Sequence, residues 1–154
     1  MKLSSKIKKS AIKLEMSAKN KKEALVELVD LLCSAYSIKE KEKVLEAIKK
    51  REEKQSTGLG MGLAVPHAKT DAVDKLYTAF GRSKEGVDFD CPSGEKAHLF
   101  FILVSPLDVS GPHIKALAGI SRMIKHKEFR DAVMSCKSES EFLEVVKEAE
   151  KKYL

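Results

Sequence analysis

Residues 98–104, HLFFILV, form the most restrictive stretch in the chain. A run so nearly free of polar side chains is too short to cross a bilayer and does not alternate. It therefore suits a central β-strand covered on both faces. A strand of that kind requires neighbours on both edges and helices above and below. Candidate neighbours are SAIKLEM (10–16), with Ile12, Leu14 and Met16 alternating against polar residues, the short LAV (63–65), and LYTAFGRS (76–83). EGVDFDCPSGEK (85–96) carries turn residues around Val87 and Phe89, which predicts a short edge strand followed by a turn at Pro92–Gly94.

Helical patterns fill the intervals. Asn20 with Glu23 three residues on has the spacing of a helix start, and Leu25, Leu28, Val29 and Leu32 then share one face. Ser37 with Glu40 repeats the spacing, predicting a second helix with Val44, Leu45 and Ile48 inward and an end near Gln55. Further helices are expected from SGPH (110–113), over EFRDAVM (128–134), and from Ser138–Glu141 with Phe142, Val145, Val146 and Ala149 on the core side. The expected fold class is α/β: a single mixed β-sheet flanked by α-helices. With 154 residues, the chain is read as one domain, 1–154, burying roughly two thirds of its unfolded surface.

The net charge of +6 is unevenly placed: residues 1–54 hold 15 Lys/Arg against 9 Asp/Glu, and the remainder 14 against 14. Lysines interleaved with glutamates in KEKEKVLEAIKKREEK read as solvated helix faces. Aromatic residues are 6% and do not alternate with the basic ones, so no base-stacking platform, and no nucleic-acid partner, is expected. Cys33, Cys91 and Cys136 have neither disulfide-framework nor zinc-cluster spacing, and Cys33 lies in an apolar run. The opening MKLSSKIKKS lacks the apolar segment of a secretory signal. A cytoplasmic protein without direct membrane insertion is expected.

Chemistry concentrates around GLGMGLAVPHAKT (58–70). Its glycines match neither nucleotide-loop pattern, so no cofactor is called for; they suggest instead a surface for close approach beside His67, with Leu59 and Met61 as apolar contacts. Pro66 restrains the backbone just before His67, and a positioned neutral imidazole is a nucleophile, a base or a metal ligand. His113 in SGPHIKAL falls at a helix start, where free N–H groups attract an anion and disfavour ring protonation. Arg51, just before the glycine segment, has the fork geometry for a phosphoryl group. Zinc would require further ligands at suitable spacing, and a hydrolase the G-x-S-x-G elbow; neither is in the sequence. A phosphoryl group carried on His67 requires only a neutral ring nitrogen and donors to hold the oxygens. Without a nucleotide loop, its donor should be another phosphoprotein.

REEKQSTGLGMGLAVPHAK (51–69) closely resembles the signature of the fructose/mannitol-type enzyme IIA domains of the phosphoenolpyruvate-dependent phosphotransferase system, a class that includes the nitrogen-regulatory enzyme IIA. The likeness continues through EGVDFDCPSGEKAHLFFILVSP (85–106) and HIKALAGISRMI (113–124). The resemblance implies a mixed β-sheet flanked by helices and a phosphotransferase in which His67 receives phosphate from the histidine phosphocarrier protein. It implies that Arg51 binds the phosphoryl group, that His113 assists, and that an enzyme IIB or a regulatory target is the acceptor. Ala68 stands where glycine is common in the family. His98 and His126 fall outside the matched positions and are assigned to structure or surface. The alternative within the same family is a nitrogen-type regulator whose partner binding depends on phosphorylation, with no sugar acceptor.

Overall fold

The computed structural model describes residues 2–154. Its strands are β1 (Ile12–Lys13), β2 (Gly58–Gly60), β3 (Leu63–Ala64), β4 (His67–Lys69), β5 (Tyr77–Val87) and β6 (Ala97–Ser105). Its α-helices are α1 (Lys21–Tyr36), α2 (Lys41–Lys54), α3 (Gly111–Ile124), α4 (Lys127–Ser135) and α5 (Glu139–Tyr153). The sheet order is β1-β5-β6-β3-β2, with β4 also paired to β6. β6 pairs antiparallel with β5 and parallel with β3 and β4, making the sheet mixed as expected.

The apolar run is the centre of this sheet. Phe100 to Val104 are fully buried, and Phe101 and Phe80, opposite each other across β6 and β5, pack with Phe142 of α5. Aliphatic residues of α1, Leu28 and Leu32, are equally buried, joining the helices and the sheet in one core cluster. Rings in such contact add to the area term because offset and tilted arrangements align their quadrupoles favourably.

Two of the three capping signals act as read. Asn20 Oδ1 accepts from the Glu23 N–H at 2.9 Å, and Ser138 Oγ accepts from the Glu141 N–H at 3.1 Å. The Ser37–Glu40 signal does not: Ser37 is in the left-handed region, φ 54°, and closes α1 by donating its N–H to Cys33 O. α2 then starts at Lys41, with Glu40 making no side-chain cap. A helix end and a helix start four residues apart make conflicting demands on the backbone between them, and here Ser37 takes the left-handed conformation that ends α1.

Other boundaries moved as well. Only Ile12–Lys13 of the alternating SAIKLEM segment is strand, pairing parallel with Phe80–Gly81. No separate edge strand forms at Val87 and Phe89. β5 instead runs on past a register shift to pair Val87 with Ala97, while Phe89 is buried beside Phe100. Longer pairing along the central strand satisfies more backbone groups than a detached two-residue edge would.

The glycines of 58–62 serve the local fold. β2 and β3 form a hairpin whose turn places Gly60, Met61 and Gly62 at φ 81°, 55° and 79°, a conformation glycine adopts without steric penalty. Gly58 sits where an added Cβ would collide with Cys91 Sγ. Gly62 O accepts from His98 and Leu99 N–H at 2.8 and 2.9 Å, so the tip lies at the start of β6. His67 instead pairs with Leu103, four residues further along, or about 13 Å of strand. Consequently Leu59 and Met61, although exposed, do not line the approach to His67, and Met61 Sδ lies against Arg130 of α4. The expected contact surface beside His67 is not formed by these two residues.

Candidate functional site

Pro66 lacks an N–H and cannot continue the ladder from Ala64, so the chain pairs with β6 in two pieces, β3 before it and β4 after. Its carbonyl still accepts from the Leu103 N–H at 3.0 Å, keeping the interruption attached to the sheet. His67 opens β4 at that point. Its Nδ1 lies 2.7 Å from Val65 O. A carbonyl only accepts, so Nδ1 carries the hydrogen and Nε2 carries the free lone pair.

His67 is half-buried and lines a cleft of about 580 Å³ between α2, β4 and the start of α3. Arg51, Lys50, Lys54, Lys69 and His113 line it too. The three residues singled out in the sequence, Arg51, His67 and His113, are therefore gathered from three separate elements onto one cleft. The His67 and His113 ring centroids are 5.5 Å apart and the planes are tilted by 59°. Ser110 precedes α3 and Pro112 lies in its first turn, as expected. The Ser110 hydroxyl does not cap the helix, however; it accepts from Lys69 Nζ.

Both rings are held neutral at pH 7. Burial pushes the His67 pKa below its ordinary value, opposed by the Val65 carbonyl and reinforced by the Arg51 guanidinium. His113 is pushed down to about 4, chiefly by burial, with His67 and the Lys69 ammonium adding to it. His113 Nδ1 is 2.7 Å from the buried Ser105 hydroxyl at the end of β6. Arg51 Nη1 donates to Gln55 O at 2.8 Å, fixing the guanidinium at the C-terminal end of α2.

Four contributors were not identified from sequence. Lys69 stands two residues after His67 on the same strand and face, a placement that the two-residue period could have revealed. Lys50 and Lys54, read as solvated helix charge, line the cleft and make it cationic. Ser105 ends β6 and comes under His113, eight residues on, where the chain turns from β6 into α3, and no local pattern signals it. Beside the cleft, buried Glu52 accepts from Thr57 N and Lys21 Nζ, both at 2.9 Å, and so ties α2 to the root of the hairpin. His98 Nδ1 donates to Ser83 O, 3.0 Å away, and His126 stacks on Tyr153 at 3.5 Å; both lie outside the cleft.

Among the described residues no group of three His, Cys, Asp or Glu side chains is placed to hold a metal, and the three cysteines are unpaired and buried. No described helix is long and apolar enough to cross a membrane. What remains is a neutral nucleophilic nitrogen in a cationic cleft, an arrangement suited to receiving an anionic group.

A sequence model described as "Phosphoenolpyruvate-dependent sugar phosphotransferase system, EIIA 2" matches residues 5–149. The chain is 34% identical to the PTS system fructose-specific EIIABC component of Bacillus subtilis over 98% of its own length, spanning 24% of that longer relative. It is 35% identical to the PTS system fructose-specific EIIA component of Haloferax volcanii, over 89% of both chains. Among solved structures, the nitrogen regulatory protein IIA-Ntr of Neisseria meningitidis superposes with a TM-score of 0.87 at 32% identity, covering 94% of this chain and 98% of that one. The fold also matches the complex of enzyme IIA mannitol with phosphorylated enzyme IIB mannitol from Escherichia coli, TM-score 0.78 at 24% identity, covering 92% of this chain and 99% of that one.

Proposed function

Since the chain belongs to the EIIA 2 family of the phosphoenolpyruvate-dependent sugar phosphotransferase system, and is a phosphoryl carrier of that family, we propose that His67 Nε2 is the atom that carries the phosphate. The observation that supports this best is the hydrogen bond from Nδ1 to Val65 O, which leaves Nε2 as the lone pair facing a cationic cleft.

The donor in this reading is the phosphohistidine of the histidine phosphocarrier protein. His67 Nε2 attacks its phosphorus in line; the new P–Nε2 bond forms as the donor's P–N bond breaks, and the electron pair of that bond stays on the donor ring. The His67 ring becomes cationic in the step, and the Val65 carbonyl accepting from Nδ1–H stabilises that charge. Arg51 holds the phosphoryl oxygens with the guanidinium hydrogens that Gln55 leaves free. In this reading the Ser105 hydroxyl, 2.7 Å from His113 Nδ1, is the donor of that pair, and the Nε2–H of the neutral His113 ring donates to the same phosphoryl group. A cationic phospho-imidazole is a good leaving group, which suits onward transfer to an enzyme IIB. The protein acts in the cytoplasm in this reading, as one domain.

A second reading keeps the chemistry and changes the recipient. The likeness to the IIA-Ntr structure, 32% identical and nearly full length, supports a nitrogen-type regulator in which phosphorylation changes the charge of the cleft and hence the partner bound.

The test is transfer of labelled phosphate from phosphoenolpyruvate through enzyme I and the phosphocarrier to the native chain and to His67→Ala. Acid-labile label on the native protein alone supports the assignment. Stoichiometric label on the variant refutes it. Onward loss of label to an enzyme IIB separates transport from regulation.

A further inference from the structure

A second polar pocket, about 770 Å³, lies where β1 and the far part of β5 meet the junction of α4 and α5. At its base is Arg82, 3% exposed. Nε donates to Leu14 O at 3.1 Å, and Nη1 donates to Val133 O and Cys136 O at 2.9 and 2.7 Å. Among the described residues no carboxylate forms an ion pair with this guanidinium. The carbonyls at the end of α4 offset part of the charge through their dipoles, but a full buried positive charge remains.

The second terminal nitrogen, Nη2, donates to no protein acceptor among the described residues, nor is it one of the sealed polar atoms lacking a partner. It therefore opens on the pocket. Around it the walls hold Lys13, Lys84 and Lys137 against Glu15 and Glu139. Lys13 is occupied by Glu27 at 2.7 Å, and Lys84 reaches exposed Glu15 only at 3.7 Å. Lys137 has no ion pair among the described residues.

We propose that this pocket binds a small dianion, of the phosphate or dicarboxylate class, with Arg82 Nη2 at its floor and the Lys84 and Lys137 ammonium groups at its rim. A buried cation whose unused donor faces a cationic pocket is stabilised by an anion that enters and completes its hydrogen bonds. The site is separate from the phosphoryl cleft. Arg82 pairs with Leu99 on one edge of β6, and His67 with Leu103 on the other, so the two are about 13 Å apart along the strand and two strand spacings across it. The inference does not depend on the assignment of His67.

Backbone amide shifts of the ¹⁵N-labelled chain, followed by NMR at constant ionic strength, test it with inorganic phosphate and succinate titrated separately against a chloride control. Saturable shifts confined to residues 82–84 and 135–139, distinct from any at the His67 cleft, are expected. A response to phosphate alone, or to succinate alone, identifies the source of the dianion. The doubly substituted Lys84→Glu, Lys137→Glu chain changes only exposed positions and leaves the Arg82 contacts with α4 in place. Its affinity should fall by about tenfold or more. An absence of saturable shifts in these segments with both anions overturns the proposal. Equal titration of native and substituted chains, or shifts reproduced by chloride, also overturns it as adventitious ion association only.

Discussion

Acidification should weaken the fold through His113, and the structure gives the size of the effect. In the unfolded chain an imidazole takes up its proton near pH 6.5; in the folded chain His113 does so only near pH 4. The folded pKa is depressed, so the neutral ring is the form that folding favours. Above pH 6.5 both states are neutral and the group contributes nothing to the slope. Between 6.5 and 4 the unfolded state binds a proton that the folded state refuses, and stability is lost as pH falls. At pH 5 the full shift is worth about 2 kcal/mol. The ring faces a cleft open to solvent, and screening there leaves about 1 kcal/mol. His113→Gln abolishes the titration while keeping a polar side chain near Ser105. Urea unfolding at pH 7.5 and pH 5.0 is the assay. The native chain should lose about 1 kcal/mol more than the variant between the two pH values, displacing its midpoint by a further ~0.5 M at a typical urea slope. Equal losses in the two chains, or a greater loss in the variant, would mean that burial does not hold this ring neutral.

Three other outcomes follow from the geometry. Ser105→Ala removes the only polar partner of His113 Nδ1 among the described residues, and should cost about 1–3 kcal/mol in denaturant unfolding while slowing phosphoryl uptake; an unchanged midpoint and rate would make the hydroxyl a bystander. Gly58→Ala drives a methyl group into Cys91 Sγ and should lower stability by about 1–3 kcal/mol, with part of the loss recovered in a Cys91→Ala background; additive effects of the two changes in thermal denaturation would contradict the contact. Exposed Ile114 follows His113, whereas exposed Met61 is at the distant hairpin tip. Ile114→Ser should therefore raise the KM for the phosphocarrier and Met61→Ser should leave it unchanged, and the reverse pattern in steady-state transfer would relocate the docking face.

Much of this architecture was legible in local sequence. HLFFILV reads as a covered central strand because its continuous apolarity is short, aromatic-rich and preceded by the turn residues at Pro92–Gly94, and the Asn20 and Ser138 caps are contacts spanning only three residues. The strand around SAIKLEM was overestimated because alternation reports half-burial and not pairing; β1 has a partner over just two residues. Ser37 has the residue type and spacing of a helix start, yet its backbone conformation, which the spacing does not report, ends α1.

At the site, the sequence by itself singled out Arg51, His67 and His113, since each lies in a distinctive local setting: a helix end, a proline step and a helix start. It could not place them on one cleft, because they are 16 and 46 residues apart and only the parallel pairing of β4 with β6 and the packing of α2 over it bring them together. Nor could it choose which nitrogen of His67 is free, a matter settled by the Val65 carbonyl turning toward Nδ1. The glycines show the difference most clearly. Their conformational freedom was evident from residue type, but whether it served a partner or a hairpin depended on Cys91, 33 residues away, lying against Gly58. Local chemistry is encoded in neighbouring residues, whereas its orientation and its use depend on contacts that exist only once distant segments have packed.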